Sequence, residues 1–422
     1  MRAPSSRLIW LAVFVLGSGS AAAQNILVNP GFATSLAGWT VESGVSAGWA
    51  PLDIAGSAAS GSALVTNSSS TAGFSGGLTQ CVAVVPGVTY AFRVRFLVPS
   101  GQASTARVQG ALDYFSGPSC GGGTVGGFGN GTGAITSDFD AWGSDFAIGT
   151  GVIPSGVASA LVDVRLLKVA AGGIVQAYFD EPSLAPVATL TIPASASIHG
   201  QNGTFFQTDL WVLDSSPLFV ATVTARHRCF ADQACAAANQ SFQVVPRQSV
   251  YFTDALVTLF GDPGTAGAIE LSYDTSTRIT VLSRTYSPSL PAPTTGTSVP
   301  ALTSDDALTR AVLVGLGSSG GDSSQGFRSN VGVYNPSSSA VSVTVTLHGS
   351  AGTTLGAPVP FTLAANEARQ VNDIFSAAGA ASTLTRNAYA VVTSSAAVFS
   401  YATVIDNQSA DSVIIAGADD GP

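Results

Sequence analysis

A chain of 422 residues is too long for one ordinary domain and implies two to four, each able to bury a core. Only 10% of its residues are charged, so hydroxyls and short side chains must cover the surface. The net charge of -9, with no basic cluster longer than Arg226, His227 and Arg228, repels phosphate backbones and anionic head groups and argues against nucleic acid as a partner.

Residues 1–23 read as a secretory signal: Arg2 and Arg7, the apolar run "LIWLAVFVLG", then "SGSAAA" with Ala21 and Ala23 before Gln24. A secreted, extracellular protein starting at Gln24 is expected. No later apolar run approaches the roughly 18 residues a membrane helix needs, so the chain is not expected to span a membrane. Export also favours disulfides over metal for the four cysteines. Pairing Cys81 with Cys120 and Cys229 with Cys235 keeps each bridge inside one domain. Loop-closure entropy makes the two bridges worth roughly 4 and roughly 2 kcal/mol.

Beyond the signal, period-two runs dominate: "TYAFRVRFLV", "ALVDVRLLKV", "TDLWVLD", "RITVLSRTYS", "SVTVTLHG" and "AYAVVTS" alternate or nearly so between turn residues. The two best helical stretches, "DALVTLFG" (254 to 261) and "DIFSAAGAA" (373 to 381), are a turn or two long, each opening on an Asp suited to an N-cap. Many short strands and almost no helix predict an all-β protein of antiparallel sandwiches. "CGGGTVGGFGNGTG" (120 to 133) reads as a mobile glycine loop with Phe128 as its one large side chain.

The C-terminal half repeats with a period of about 120 residues, a whole domain rather than a solenoid unit. "FQTDLWVLDSSP" (206 to 217) lies on "FRSNVGVYNPSS" (327 to 338), which sets Thr208 on Ser329, Asp209 on Asn330 and Asp214 on Asn335. "VYFTDALVTLFG" lies on "RQVNDIFSAAG", with Asp254 on Asp373, and "ITVLSRTYS" on "AAVFSYATV". Each copy is expected to be a seven-strand immunoglobulin-like sandwich. The divisions read as 24–186, 187–290, a Pro- and Thr-rich linker at 291–302, and 303–422, with "SLAPVA" (183 to 188) separating the first repeat from what precedes it.

The preceding segment carries a resemblance. "NILVNPGFATSLAGW", "SGSALV", "LTQCVAVVPGVTYAFRVRF" and "AYFDEPSL", in that order over roughly residues 25 to 185, resemble the jelly-roll carbohydrate-binding modules of the galactose-binding-like class. The repeat pair is similar to tandem β-sandwich domains of secreted bacterial proteins, for which no chemistry is implied. The first resemblance implies a glycan partner and a structural calcium held in part by an acid of the closing strand, here Asp180. The Glu that often follows "GF" in such modules is Ala33 here, so one ligand is missing.

Adjacent acids in a strand point to opposite faces, so Asp180 and Glu181 are not expected to converge as a catalytic pair. "GLGSSG" (315 to 320) lacks the following helix of a dinucleotide site, and "GSSGG" around Ser319 is a chance match with only His199, His227 and His348 in the chain. The only lysine, Lys168, is the one Schiff-base candidate. Trp39 reads as core. If a glycan binds, Trp49, Tyr114 and Trp142 are the candidate stacking platforms and Asp138 or Asp140 the acceptors. The expected function is a non-catalytic, secreted protein binding a polysaccharide or cell-surface glycan through its N-terminal module; the alternative is a structural or adhesive β-sandwich protein without a small ligand.

Overall fold

The computed structural model describes residues 25–133, 135, 142, 146–200, 204–236, 238–287, 295–322 and 324–420. The signal-like segment, Asp138 and Asp140 lie outside them. The N-terminal sandwich contains β1 (Thr40–Val41), β2 (Ser46–Ala50), β3 (Ser62–Asn67), β4 (Ser75–Ala83), β5 (Thr89–Leu97), β6 (Ala106–Phe115), β7 (Thr124–Gly131), β8 (Phe146–Val152), β9 (Ser159–Lys168) and the first half of β10 (Val175–His199). Sheet I runs β1-β4-β9-β6-β7, and sheet II runs β2-β3-β10-β5-β8, all antiparallel. Alternation closes them on one core: Val162, Val164 and Leu166 from sheet I meet Phe92, Val94 and Phe179 from sheet II.

The glycine segment expected to be a loop is instead the edge strand β7. Its one large side chain, Phe128, turns inward against Tyr114, with ring centroids 6.3 Å apart, and any side chain at Gly149 or Gly151 would collide with it. Cys81 and Cys120 form a disulfide that ties a short 3-10 turn (Pro118–Cys120) to sheet I.

The boundary expected at "SLAPVA" falls inside a strand. Strand β10 continues through it, leaving β5 at Pro186 and pairing next with the second domain from Val187 onward. Its prolines sit where a missing N–H is tolerated: Pro182 in a β-bulge between Asp180 and Ser183, Pro186 at the change of partner, and Pro193 in the irregularity between Ile192 and Ser195.

The first repeat adds β11 (Phe205–Asp214), β12 (Ala221–Cys229), β13 (Gln240–Val244), β14 (Ser249–Phe252), α1 (Ala255–Thr258), β15 (Thr265–Asp274), β16 (Ile279–Ser287) and β17 (Thr295–Val299). Its front sheet is β13-β12-β15-β10 and its back sheet β14-β11-β16-β17. Much of the stretch expected to be a linker is thus β17, and Leu302 exchanges backbone bonds with Thr191. The second repeat is β18 (Leu308–Ser319), β19 (Phe327–Tyr334), β20 (Val341–His348), β21 (Val359–Leu363), β22 (Ala368–Val371), α2 (Ile374–Ala377), β23 (Leu384–Asp406) and β24 (Ser412–Ala416). Here β23 does the work of β15 and β16 together, pairing with β18 and β20 in the front sheet, then β19 and β24 in the back.

The aligned polar residues of the repeats do the same jobs. Asp209 Oδ1 accepts the Asp254 N–H at 2.9 Å, and Asn330 Oδ1 accepts that of Asp373 at 3.0 Å; both N-cap aspartates are left-handed. Thr208 and Ser329 each take a backbone N–H from the neighbouring strand, and Asp214 and Asn335 each close a turn onto the residue two further on. One alignment slips: by register Leu282 corresponds to Tyr401, not Phe399, because Trp211 faces Leu282 and Gly332 faces Tyr401. A two-residue shift preserves which side chains face inward, so hydrophobic pattern alone does not detect it.

Both junctions are packed. Between the N-terminal sandwich and repeat 1, Arg93 meets Asp274 at 2.9 Å with both side chains buried, and Arg93 and Arg95 lie over the Phe219 ring at 5.2 and 5.6 Å. Between the repeats, Tyr334 and Phe399 pack with Ala268, Phe230 and Leu302, and the Tyr334 hydroxyl donates to Glu270 Oε1 at 2.6 Å. Three sandwiches thus form one continuous support.

Candidate functional site

The outward side chains of sheet I follow from register. Rows run across it: Gly77, Arg165, Gln109, Gly131; then Thr79, Asp163, Ala111, Gly129; then Cys81, Leu161, Asp113, Gly127. Along β7 the alternation that turns Phe128 inward turns three glycines outward, leaving the edge of this face without side chains. At Gly129 a Cβ would stand 2.8 Å from the Gly110 carbonyl, so the bare floor is also a packing requirement. The result is a shallow trough of about 340 Å³ lined by Gln109, Gly110, Ala111, Gly129, Asn130 and Arg165.

Its polar wall is held rigid. Arg165 forks onto Glu42 with Nε–Oε2 and Nη2–Oε1 contacts of 3.0 and 2.8 Å, and Asp163 lies beside the same guanidinium. Burial pushes the Asp163 carboxyl up to about 7, with Arg165 opposing and Glu42 and Asp113 reinforcing the rise. Its side chain has no exposure, so it positions Arg165 and does not reach a ligand. Gln109 accepts from the Ser75 hydroxyl at 2.9 Å and keeps its amide N–H groups for the trough.

The expected alternation fails at the acids of the closing strand. The bulge after Asp180 puts Glu181 in the left-handed region, φ 49°, so the two carboxylates are not on opposite faces as an unbroken strand would require. Asp180 is fully buried and accepts the backbone N–H groups of Ile54 and Glu181 at 3.0 and 2.9 Å. Burial raises its carboxyl to about 7, helped by Glu181 and Asp53, and burial and Asp53 raise Glu181 as well. None of these three acids forms an ion pair among the described residues. Their ligand oxygens do not all come within reach of one ion, and both Asp180 oxygens are taken by backbone N–H groups; among the described residues only His227, Cys235 and Asp262 bring three such groups that close, so the calcium seat that the resemblance implies is not assembled at Asp180. Glu181 faces Gly31, two residues before Ala33, and so stands near the acid that the resemblance lacks.

The other candidates disperse. Trp49 is 41% exposed on the edge strand β2, its indole N–H fixed to the Phe32 carbonyl at 2.7 Å. Tyr114 is in the core and offers no face to a sugar, because it lies on the inward side of β6; this corrects its place among the platforms. Trp142 is half-buried outside any strand. Trp39 packs in the core against Phe32. Lys168 is buried and donates to the Ser69 and Gly173 carbonyls, a structural use of the only lysine.

His227 holds Asp262 at 2.9 Å, but the third member of that cluster, Cys235, is spent in the disulfide with Cys229. Ser319 hydrogen-bonds the Asp322 carbonyl, on a different domain from His227. Sequence reading missed the stacked pair Trp211 and Tyr251, 4.7 Å apart and 20° from parallel, on the outer back face of repeat 1. The signal was present in "DLWVLD", where Trp211 and Leu213 make the outward positions as apolar as the inward ones.

No protein-family model matches the chain, and no curated protein matches it. Among solved structures it is similar to the N-terminal CBM22-1-CBM22-2 tandem domain of Paenibacillus barcinonensis Xyn10C, at 12% identity and a TM-score of 0.29, over 62% of this chain and 99% of that one. A likeness that slight carries no argument about what this chain binds. Among the described residues no helix is long and apolar enough to cross a membrane, and the two disulfides fit an extracellular protein.

Proposed function

We propose that the protein is a secreted, non-catalytic glycan-binding protein whose binding face is the outer side of sheet I. The observation that carries this reading is the trough over Ala111 and Gly129: an open floor beside hydrogen-bonding side chains already fixed in place by Arg165, Glu42 and Ser75. Such a site binds hydroxyl-rich ligands without ordering its own groups first. No nucleophile, acid and base meet there, so retention rather than turnover is its chemistry.

The test is a screen of the full chain against immobilised polysaccharides and a glycan array. One glycan class should be retained, Gln109→Ala should weaken it roughly tenfold, about 1.4 kcal/mol, and Ala111→Leu, which fills the trough, should abolish it. Unchanged binding in Ala111→Leu would rule out this face, and loss in Trp49→Ala would move the site to β2. The structural reading is favoured by one observation, the unbroken passage of β10 between domains; a folded chain that retains no glycan would establish it.

A further inference from the structure

The chain contains one example of a back sheet docked on a front sheet. The outer back face of repeat 2, with Ala368, Tyr334 and Phe399 in a row, sits on the front sheet of repeat 1 at Ala268 and Phe230. Tyr401 from the next row joins the repeat 1 core cluster, lying across Gly332, where a Cβ would be 2.0 Å from its ring. Repeating the domain leaves one back face and one front face uncovered.

Among the described residues each uncovered face carries apolar side chains, those of repeat 2 set among Thr346, His348 and Arg310. On the back face of repeat 1, Tyr251, Trp211 and Leu282 stand side by side across β14, β11 and β16; Tyr251 and Leu282 are each 52% exposed, and Leu213 extends the patch. Leu282 and Trp211 hold the places of Tyr401 and Gly332, the row that repeat 2 buries. On the front face of repeat 2, Val314 and Tyr389 pair across β18 and β23, with His348 stacked on Tyr389 at 4.9 Å, and Val312 and Val391 form the next row. Val314 is 60% exposed. Clustered exposed apolar side chains of this kind mark interaction surfaces.

We propose that the protein associates head to tail with further copies of itself, the back face of repeat 1 seating on the front face of repeat 2 in the next molecule. The occupant is a second copy because a front sheet of this fold is the surface that accepts a back sheet within the chain. The two patches differ, so the contact is heterologous, and the rotation it applies need not close; the product is an open chain of molecules. This inference stands whether or not the trough on sheet I binds a glycan.

Sedimentation velocity on the full chain over a wide concentration range tests it. The weight-average mass should climb past that of a dimer. Leu282→Asp removes the back face and Val314→Asp the front face, so each variant alone should be monomeric. Mixed, they retain one complementary pair of faces and should form a complex of one molecule of each. Both positions are exposed; should either aspartate disturb folding, Leu282→Lys and Val314→Thr repeat the experiment. A wild-type protein that stays monomeric throughout overturns the proposal, as does a closed dimer unaffected by Val314→Asp.

Discussion

Arg93→Ala is expected to destabilise the protein by about 3–5 kcal/mol, because it leaves Asp274 buried at the first junction without its cation. The pair is 2.9 Å apart with both side chains nearly inaccessible, and Arg93 also donates to the Val220 carbonyl at 3.2 Å and covers Phe219. Burial already raises the Asp274 carboxyl, and Arg93 is the charge that opposes the rise. Removing Arg93 therefore drives Asp274 toward its protonated form, and the loss should be larger at pH 8 than at pH 5. Replacing both partners, Arg93→Met with Asp274→Leu, should recover most of the loss, since no buried charge then remains. Denaturant titration of Arg93→Met, Asp274→Leu and the double variant gives the coupling directly. A loss under about 1 kcal/mol in Arg93→Ala would mean that water reaches the junction and that the sandwiches are not held there by this pair.

The folded chain should lose stability as pH rises from 5 to 8, and Asp180→Asn should remove part of that loss. Burial pushes the folded carboxyl of Asp180 up to about 7, far above the 3.8 of an unperturbed aspartate. The folded state then binds more protons than the unfolded state between those values, so stability is present below about pH 4 and is lost as pH climbs through 7. Asp163 contributes in the same direction over the same window, and Asp180→Asn isolates the share that belongs to the acid cluster. Thermal melts of the wild type and of Asp180→Asn at pH 5, 6, 7 and 8 check the sign. A pH dependence unchanged in Asp180→Asn would mean that the buried carboxyl is not the source of the loss.

Much of the architecture could be read from the sequence because it rests on alternation and repetition. Period-two patterning specifies strands, and the domain-length repeat puts Asp209 on Asn330 and Asp254 on Asp373, pairs that make the same backbone contacts. Position within a sheet is harder to read. The glycines of "GGFGNG" read as a mobile loop, but in the edge strand they alternate with an inward Phe128 and form an outward glycine row, a distinction that needs β6 and β8 in place. Proline at 186 suggests a break, but a change of strand partner absorbs its missing donor and β10 continues. The acids at 180 and 181 read as facing opposite ways because nothing local announces the bulge that overrides alternation there, or Asp53 as their neighbour. Tyr114 and Trp49 look alike in sequence; only the side of the strand on which each falls makes one core and the other surface.

The most direct measurement of the functional account is hydrogen–deuterium exchange on the full chain, with and without the glycan retained in the screen. Binding in the trough should slow exchange in β6, β7 and the part of β9 around Arg165 and leave β11 and β14 unchanged. Slowing confined to the Trp211 and Tyr251 strands, with sheet I unaffected, would contradict it and assign the glycan to repeat 1.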